Sequence, residues 1–245
     1  MSLMKTSMDF FIHTRDVNYN DIIKPTALLD MFQDLAGIHA SELGVGYDAL
    51  KEKNYAWVIL YQRYEMNAIP PYLDVVNLTT WPKPKNRLEF EREYLLKDKK
   101  GNELAKGISN WVIIDLNTRG LVRSDKIEFN GEYENFTNYP ERCKRKLNLN
   151  QNKSEGSFIY VVTLEDLDHN GHMNNARYIN IIENNYYTFG SKKYIKEVEI
   201  AYIKEAKYKD EIRIEYFHEG NQIAFLGYLN ENELCFECLI GEEEL

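Results

Sequence analysis

Along the first half of the chain, polar and apolar positions change period twice, into one helix and out of it. After Pro25-Thr26, the side chains Leu28, Phe32, Leu35 and His39 recur at i, i+4, i+7 and i+11, and the run stops at Gly44-Val45-Gly46. This spacing predicts an amphipathic helix of about 18 residues, roughly 27 Å long. Before it, Asp9 to Thr14 is short, aromatic and β-branched. After it come four strand-like runs near Tyr55–Asn67, Asp74–Trp81, Arg87–Lys97 and Glu103–Asp115. Ile69-Pro70-Pro71-Tyr72, Pro82-Lys83-Pro84 and Asp98-Lys99-Lys100-Gly101-Asn102 break these runs as turns between antiparallel strands do. The half reads β-α-β-β-β-β.

The same order then repeats, with a strand at Ser157–Thr163 and a helix near Asn174–Gly190. Strands follow near Lys196–Glu205, Glu211–His218, Gln222–Leu229 and Leu234–Ile240. The repeat is closest where Ala68…Asp74-Val75-Val76-Asn77-Leu78 lies against Ala206…Asp210-Glu211-Ile212-Arg213-Ile214. Between the halves, Glu132 to Ser154 is polar, charged and without period, which reads as a linker. The predicted organisation is a unit over residues 4–131, a linker over 132–154 and a second unit over 155–245. A helix followed by an antiparallel meander buries its stripe most simply if one face of the sheet wraps it. That is the hotdog architecture, so the expected fold class is α+β, a tandem double hotdog. Two generic α+β domains are the alternative.

Composition narrows the class further. With 245 residues, 44% hydrophobic and 28% charged, the chain has the make-up of an ordinary globular protein. Cys143, Cys235 and Cys238 are too few and too scattered for a disulfide framework, so a reducing, cytoplasmic setting is expected. No run approaches the roughly 18 apolar residues of a membrane span. A formal net charge of -9 disfavours nucleic acid and anionic lipid as partners. Cys235-x-x-Cys238 has neither a second pair nor neighbouring histidines, so no metal and no cofactor is expected. His13 and His218 fall in predicted strands, and His39 reads as a packed core residue. Trp57, Trp81 and Trp111 read as core or pocket walls.

Polar side chains able to do chemistry concentrate in Asp166-Leu167-Asp168-His169-Asn170-Gly171-His172-Met173-Asn174-Asn175, directly before the second helix. Free N–H groups at a helix start favour developing negative charge. If the segment is extended, Asp168, Asn170 and His172 share one side and His169 points away. Asp and Asn also cap helices and make turns, and Gly171 relieves backbone strain, so a purely structural role stands beside the chemical one.

The string Asp168-His169-Asn170-Gly171-His172-Met173-Asn174-Asn175-Ala176-Arg177-Tyr178 resembles the Asp-x-Asn-x-His-x-x-Asn-x-x-Tyr signature of acyl-acyl-carrier-protein (acyl-ACP) thioesterases. The resemblance extends to Ala201-Tyr202-Ile203-Lys204-Glu205-Ala206, where the plant enzymes carry Glu-Cys. Upstream it includes Ala56-Trp57-Val58-Ile59 and Gly107-Ile108-Ser109-Asn110-Trp111-Val112, so it runs from about Phe11 to Cys238. It implies a double hotdog that hydrolyses the thioester of fatty acyl-ACP, with the acyl chain in the first unit and catalysis in the second. The implied site is Asp168, Asn170, His172 and Glu205, with Glu205 as general base on the strand after the helix and Asp168 orienting a partner or sharing that role. Asn170 would hold the carbonyl or the water, and His172 would donate to the oxyanion or the departing thiolate.

Ala206 stands where the plant pattern has cysteine, which favours direct attack by activated water. The first helix opens with Lys24-Pro25-Thr26-Ala27 and offers no comparable set, so one site per chain is expected. The implied partner is acyl carrier protein, met by a monomer or homodimer through local cations. Arg142, Lys144, Arg145 and Lys146 in the linker are one set, and Lys192, Lys193, Lys204, Lys207 and Lys209 around the site are another. An acyl-coenzyme A thioesterase, and a hotdog that binds an acyl thioester without cleaving it, remain the alternatives. A dehydratase fits less well, since Asp30 and Asp34 sit mid-helix.

Overall fold

The computed structural model describes residues 4–129, 131–150, 154–168, 170–188, 190–230 and 232–245. His169 and its expected outward orientation lie outside the described residues. The chain divides into two compact units, Met1–Cys143 and Lys144–Leu245. The first contains strands β1 (Thr6–Phe11), β2 (Tyr55–Met66), β3 (Val75–Pro82), β4 (Phe90–Lys97) and β5 (Glu103–Asp115), with helices α1 (Pro25–Glu42) and α2 (Tyr47–Lys51). Its strands pair antiparallel in the order β1-β3-β4-β5-β2. The second contains β6 (Gly156–Val161), α3 (Asn175–Tyr186), β7 (Lys193–Tyr202), β8 (Glu211–Glu219), β9 (Gln222–Leu229) and β10 (Glu233–Glu244). These pair as β6-β8-β9-β10-β7, the same order repeated.

Pro25 opens α1 at a position where a missing N–H is harmless, and Gly44 at φ +76° ends the turn that follows it. The buried stripe includes Leu28, Phe32, Leu35 and His39. The Phe32 ring stacks on Tyr94 of β4, with centroids 4.4 Å apart and planes inclined by 2°. A Cβ on Gly107 of β5 would overlap that ring, so glycine is what lets helix and sheet approach. Burying such a phenyl group stabilises the unit by about 2–3 kcal/mol.

One polar cluster lies inside this apolar layer. Arg92 of β4 donates from a terminal nitrogen to His39 Nδ1 at 2.8 Å and to Thr80 Oγ1 at 3.2 Å. His39 is 2% exposed, and its pKa falls to about 4 because burial disfavours the imidazolium and Arg92 repels it. It lies in the last turn of α1, where the helix dipole favours the guanidinium.

The polar segment after residue 131 is tied down by two buried carboxylates. In the first unit Glu93 accepts the amides of Asn138 (2.7 Å) and Tyr139 (3.3 Å) and the Thr137 hydroxyl, while Lys83 donates to Tyr139 O at 2.6 Å. In the second, Glu237 accepts the amides of Leu147 (2.7 Å), Asn148 (3.4 Å) and Leu149 (3.2 Å). Three local expectations need correction. α3 ends at Tyr186 rather than near Gly190, because Tyr187 is already extended at ψ 146°. His13 lies beyond β1, at the cap of a short 3-10 turn. Glu205 lies beyond the end of β7, not on it.

Candidate active site

Asp168, Asn170, Gly171 and His172 lie in a closed turn rather than the extended approach expected from their two-residue spacing. The Asp168 amide donates to His172 O at 2.8 Å, and the Gly171 amide donates to Asp168 O at 3.0 Å. Asp168 Oδ1 accepts the amides of Asn170 (2.8 Å) and His172 (3.2 Å), an Asx turn that Gly171 completes at φ +76°. The helix cap is a separate residue, since Asn174 Oδ1 accepts the Ala176 amide at 2.9 Å. Beneath the turn, buried Asp166 accepts the Thr163 amide and hydroxyl and the Tyr160 hydroxyl at 2.7, 2.8 and 2.8 Å. Its carbonyl takes the Asn174 amide at 2.7 Å.

The structure brings the four expected residues together as two pairs. His172 Nε2 lies 3.4 Å from Glu205 Oε2, the outer edge of hydrogen-bond range. Asp168 Oδ2 lies 3.3 Å from Asn170 Nδ2. The half-buried imidazole faces a more exposed carboxylate, with side chains 22% and 48% accessible. The pairs are joined through backbone, because Asp168 bonds the His172 amide rather than its ring. The Met173 amide in turn donates to Ala206 O at 2.8 Å, which ties the histidine turn to the segment carrying Glu205.

The first unit contains the same turn with the central asparagine kept and the acid and imidazole replaced. Asn18 Oδ1 accepts the amides of Asn20 (2.9 Å) and Ile22 (3.2 Å), and the Asn18 amide donates to Ile22 O at 2.8 Å. Asp21 takes the positive-φ position at +58°. Asn18, Asn20 and Ile22 therefore occupy the places of Asp168, Asn170 and His172. Leu104 O receives the amides of Asn67 and Ala68 (2.7 and 3.1 Å), as Cys235 O receives those of Ile203 and Lys204 (2.8 and 3.0 Å). Ile69 thus answers to Glu205, and the alignment of Ala68 with Ala206 made on sequence is two residues out of step. Tyr178, the fourth residue of α3, answers to Leu28, the fourth of α1.

All three cysteines are poor nucleophiles. Burial pushes the Cys235 thiol up to about 12 and raises Cys143 and Cys238 as well. Cationic side chains sort by position. Lys204 pairs with Glu233, Lys193 with Glu242 at 2.9 Å and Lys144 with Glu199 at 3.3 Å. Lys192 and Lys193 stand at the start of β7, roughly 30 Å along the strand from its Glu205 end, so they do not belong around this site. Lys207 and Lys209 follow Glu205 on the same loop.

A double hotdog with this turn defines the class, and comparison names the family. The family model for the acyl-ACP thioesterase N-terminal domain matches residues 4–128, and that for the C-terminal domain matches residues 149–234. The chain belongs to the acyl-ACP thioesterase family. It is 25% identical over 188 residues to the chloroplastic oleoyl-acyl carrier protein thioesterase of Coriandrum sativum, covering 69% of this chain and 50% of that protein. It is 28% identical over 186 residues to the chloroplastic palmitoyl-acyl carrier protein thioesterase of Gossypium hirsutum, covering 71% and 45%. The match thus spans about half the length of these plant relatives.

Among solved structures, an acyl-ACP thioesterase from Bacteroides thetaiotaomicron shares the fold with a TM-score of 0.83, at 24% identity over 98% of both chains. The 12:0-ACP thioesterase from Umbellularia californica does so with a TM-score of 0.80, at 18% identity over 99% of this chain and 98% of its own. No helix among the described residues is long and apolar enough to cross a membrane.

Proposed function

We propose that the chain hydrolyses the thioester of fatty acyl-ACP, with the acyl chain held by the first unit and the chemistry done in the second. The observation that carries this reading is the approach of His172 Nε2 to Glu205 Oε2 at 3.4 Å, within a chain of this family. Glu205 takes a proton from water as the oxygen attacks the thioester carbon. Asn170, held beside Asp168, faces the carbonyl or the water. When the tetrahedral intermediate collapses, the C–S bond breaks, His172 delivers a proton to the leaving thiolate and is recharged by the proton that Glu205 took from water. Fatty acid and the carrier's free thiol are the products.

Attack by water rather than by an enzyme thiol is supported by Ala206 beside the glutamate and by three cysteines whose thiols are all raised by burial. The acidic carrier would meet Lys207 and Lys209, which share the loop of Glu205. The test is thiol release from acyl-ACP and acyl-coenzyme A series of varied chain length, using wild type, His172→Ala and Glu205→Ala. Hydrolysis on the carrier-protein series, lost in both folded variants, is the expected result. Binding of acyl thioesters without release would refute hydrolysis, and equal kcat/KM on coenzyme A substrates would refute carrier selectivity.

A further inference from the structure

The side chains that hold the Glu205 segment differ between the two units in the same sense as the reactive pair. On the Lys204 side of Glu205, the Lys204 amide donates to Cys235 O and the Cys235 thiol donates to Lys204 O, both at 3.0 Å. On the other side, the Ala206 amide donates to Tyr178 Oη at 3.2 Å, and Ala206 O accepts the Met173 amide at 2.8 Å. Four backbone atoms flanking Glu205 are therefore fixed, one of them by the residue next to His172.

Both supporting side chains are buried, with Tyr178 2% and Cys235 0% exposed. Tyr178 is wedged between the rings of Tyr202 and Phe236, at centroid distances of 5.6 and 5.2 Å. In the first unit Leu28 and Leu104 stand at these places, around Ile69 instead of Glu205. A buried hydroxyl costs stability unless it is bonded, and leucine serves the same packing in the other copy. The Tyr178 hydroxyl meets the Ala206 amide, next to the one residue of this segment that differs from its counterpart by a charge able to act on water. Glu205 itself has His172 as its one polar partner among the described residues. The direction of its half-exposed carboxylate therefore depends on the peptide groups on either side.

We propose that Tyr178 and Cys235 are positioning residues, which fix the backbone of Glu205 so that its carboxylate stays within reach of His172 Nε2. The inference rests on the hydrolase reading above. A misplacement of about 1 Å at a reacting group costs up to about a hundredfold in rate, so Tyr178→Phe should lower kcat by about tenfold with KM nearly unchanged. Cys235→Ala should lower kcat less, and Cys235→Ser, which keeps a donor to Lys204 O, should restore it. Amide hydrogen exchange read by NMR supplies a measure independent of turnover. In Tyr178→Phe the Ala206 amide should exchange at least tenfold faster, while amides in the centre of β5 keep their wild-type rates.

A Tyr178→Phe enzyme with wild-type kcat overturns the proposal. So does a lowered kcat with an unchanged Ala206 amide, or an equal fall in rate for Cys235→Ser and Cys235→Ala. Faster exchange at Ala206 with a selective loss of kcat and rescue by serine supports it. A wild-type chain that hydrolyses no thioester refutes the hydrolase reading and this inference together. An active wild type whose rate is lost in Glu205→Ala but kept in both Tyr178→Phe and Cys235→Ala refutes this inference alone.

Discussion

Acid should weaken the first unit through His39. The imidazole is 2% exposed, accepts from Arg92 through Nδ1 at 2.8 Å, and has its pKa lowered from 6.5 to about 4. The unfolded chain binds a proton at this residue below pH 6.5, whereas the folded chain resists it down to about pH 4. The stabilising difference is complete above pH 6.5 and is lost as pH falls between those values. By linkage the loss amounts to about 2 kcal/mol at pH 5 and about 3 kcal/mol at pH 4.

Exposed carboxylates such as Asp98 and Asp125, lowered by their hydrogen bonds, also weaken the fold in acid, so the decisive quantity is a difference between variants. In His39→Asn the amide oxygen replaces Nδ1 as acceptor and no proton can be taken up. This variant should be less stable by about 1–2 kcal/mol at neutral pH and should lose less on acidification. Urea unfolding of both proteins at steps between pH 7 and pH 4.5 measures this directly. If the two stability curves fall in parallel, neutral His39 is not the buried partner of Arg92 and the reasoning fails.

Other consequences are simpler to read. Gly107→Ala drives a methyl group into the Phe32 ring and should cost about 1–3 kcal/mol, seen as a lowered thermal midpoint; an unchanged midpoint would show that the ring is free to move. Reversing charge with Lys207→Glu and Lys209→Glu should raise KM for acyl-ACP about three- to tenfold with little effect on kcat, while Lys192→Glu with Lys193→Glu leaves KM unchanged. Ala206→Cys should bring no gain in rate, and a faster variant that accumulates an acyl-enzyme in single-turnover mass spectrometry would overturn the water route.

Much of the fold was legible because local signals coincide. Pro25, the stripe Leu28-Phe32-Leu35-His39 and the stop at Gly44 give α1 both ends, and β5 and β9 have the bounds that their strand-like runs between turns predict. Glu205 reads as strand on sequence because the apolar run continues through Ala201-Tyr202-Ile203, while the ladder ends when Ile203 and Lys204 both donate to the one carbonyl of Cys235. That event depends on a residue some thirty positions away and leaves no local trace. The same holds for Arg92, which shares a face of β4 with Phe90 and Tyr94 and whose partner His39 comes from the helix. His172 and Glu205 were paired through family resemblance; their separation in sequence exceeds anything a period can report. The closed turn at Asp168 is the structural role that Asx chemistry and Gly171 offer on sequence, and its twin at Asn18 shows that the turn needs only an oxygen acceptor at that position.

That twin turn bears on how such a chain can change. Two identical subunits encoded once must accept every substitution twice, so a residue that improves catalysis in one copy is imposed on the copy that handles substrate. Joining the copies in one chain removes that constraint, and Ile22 in the place of His172 with Ile69 in the place of Glu205 is what such freedom permits. Both halves keep the same turn and strand order, while each carries its own side chains on them. On the division of roles proposed above, further divergence of the first half alters what is bound without passing through an inactive enzyme.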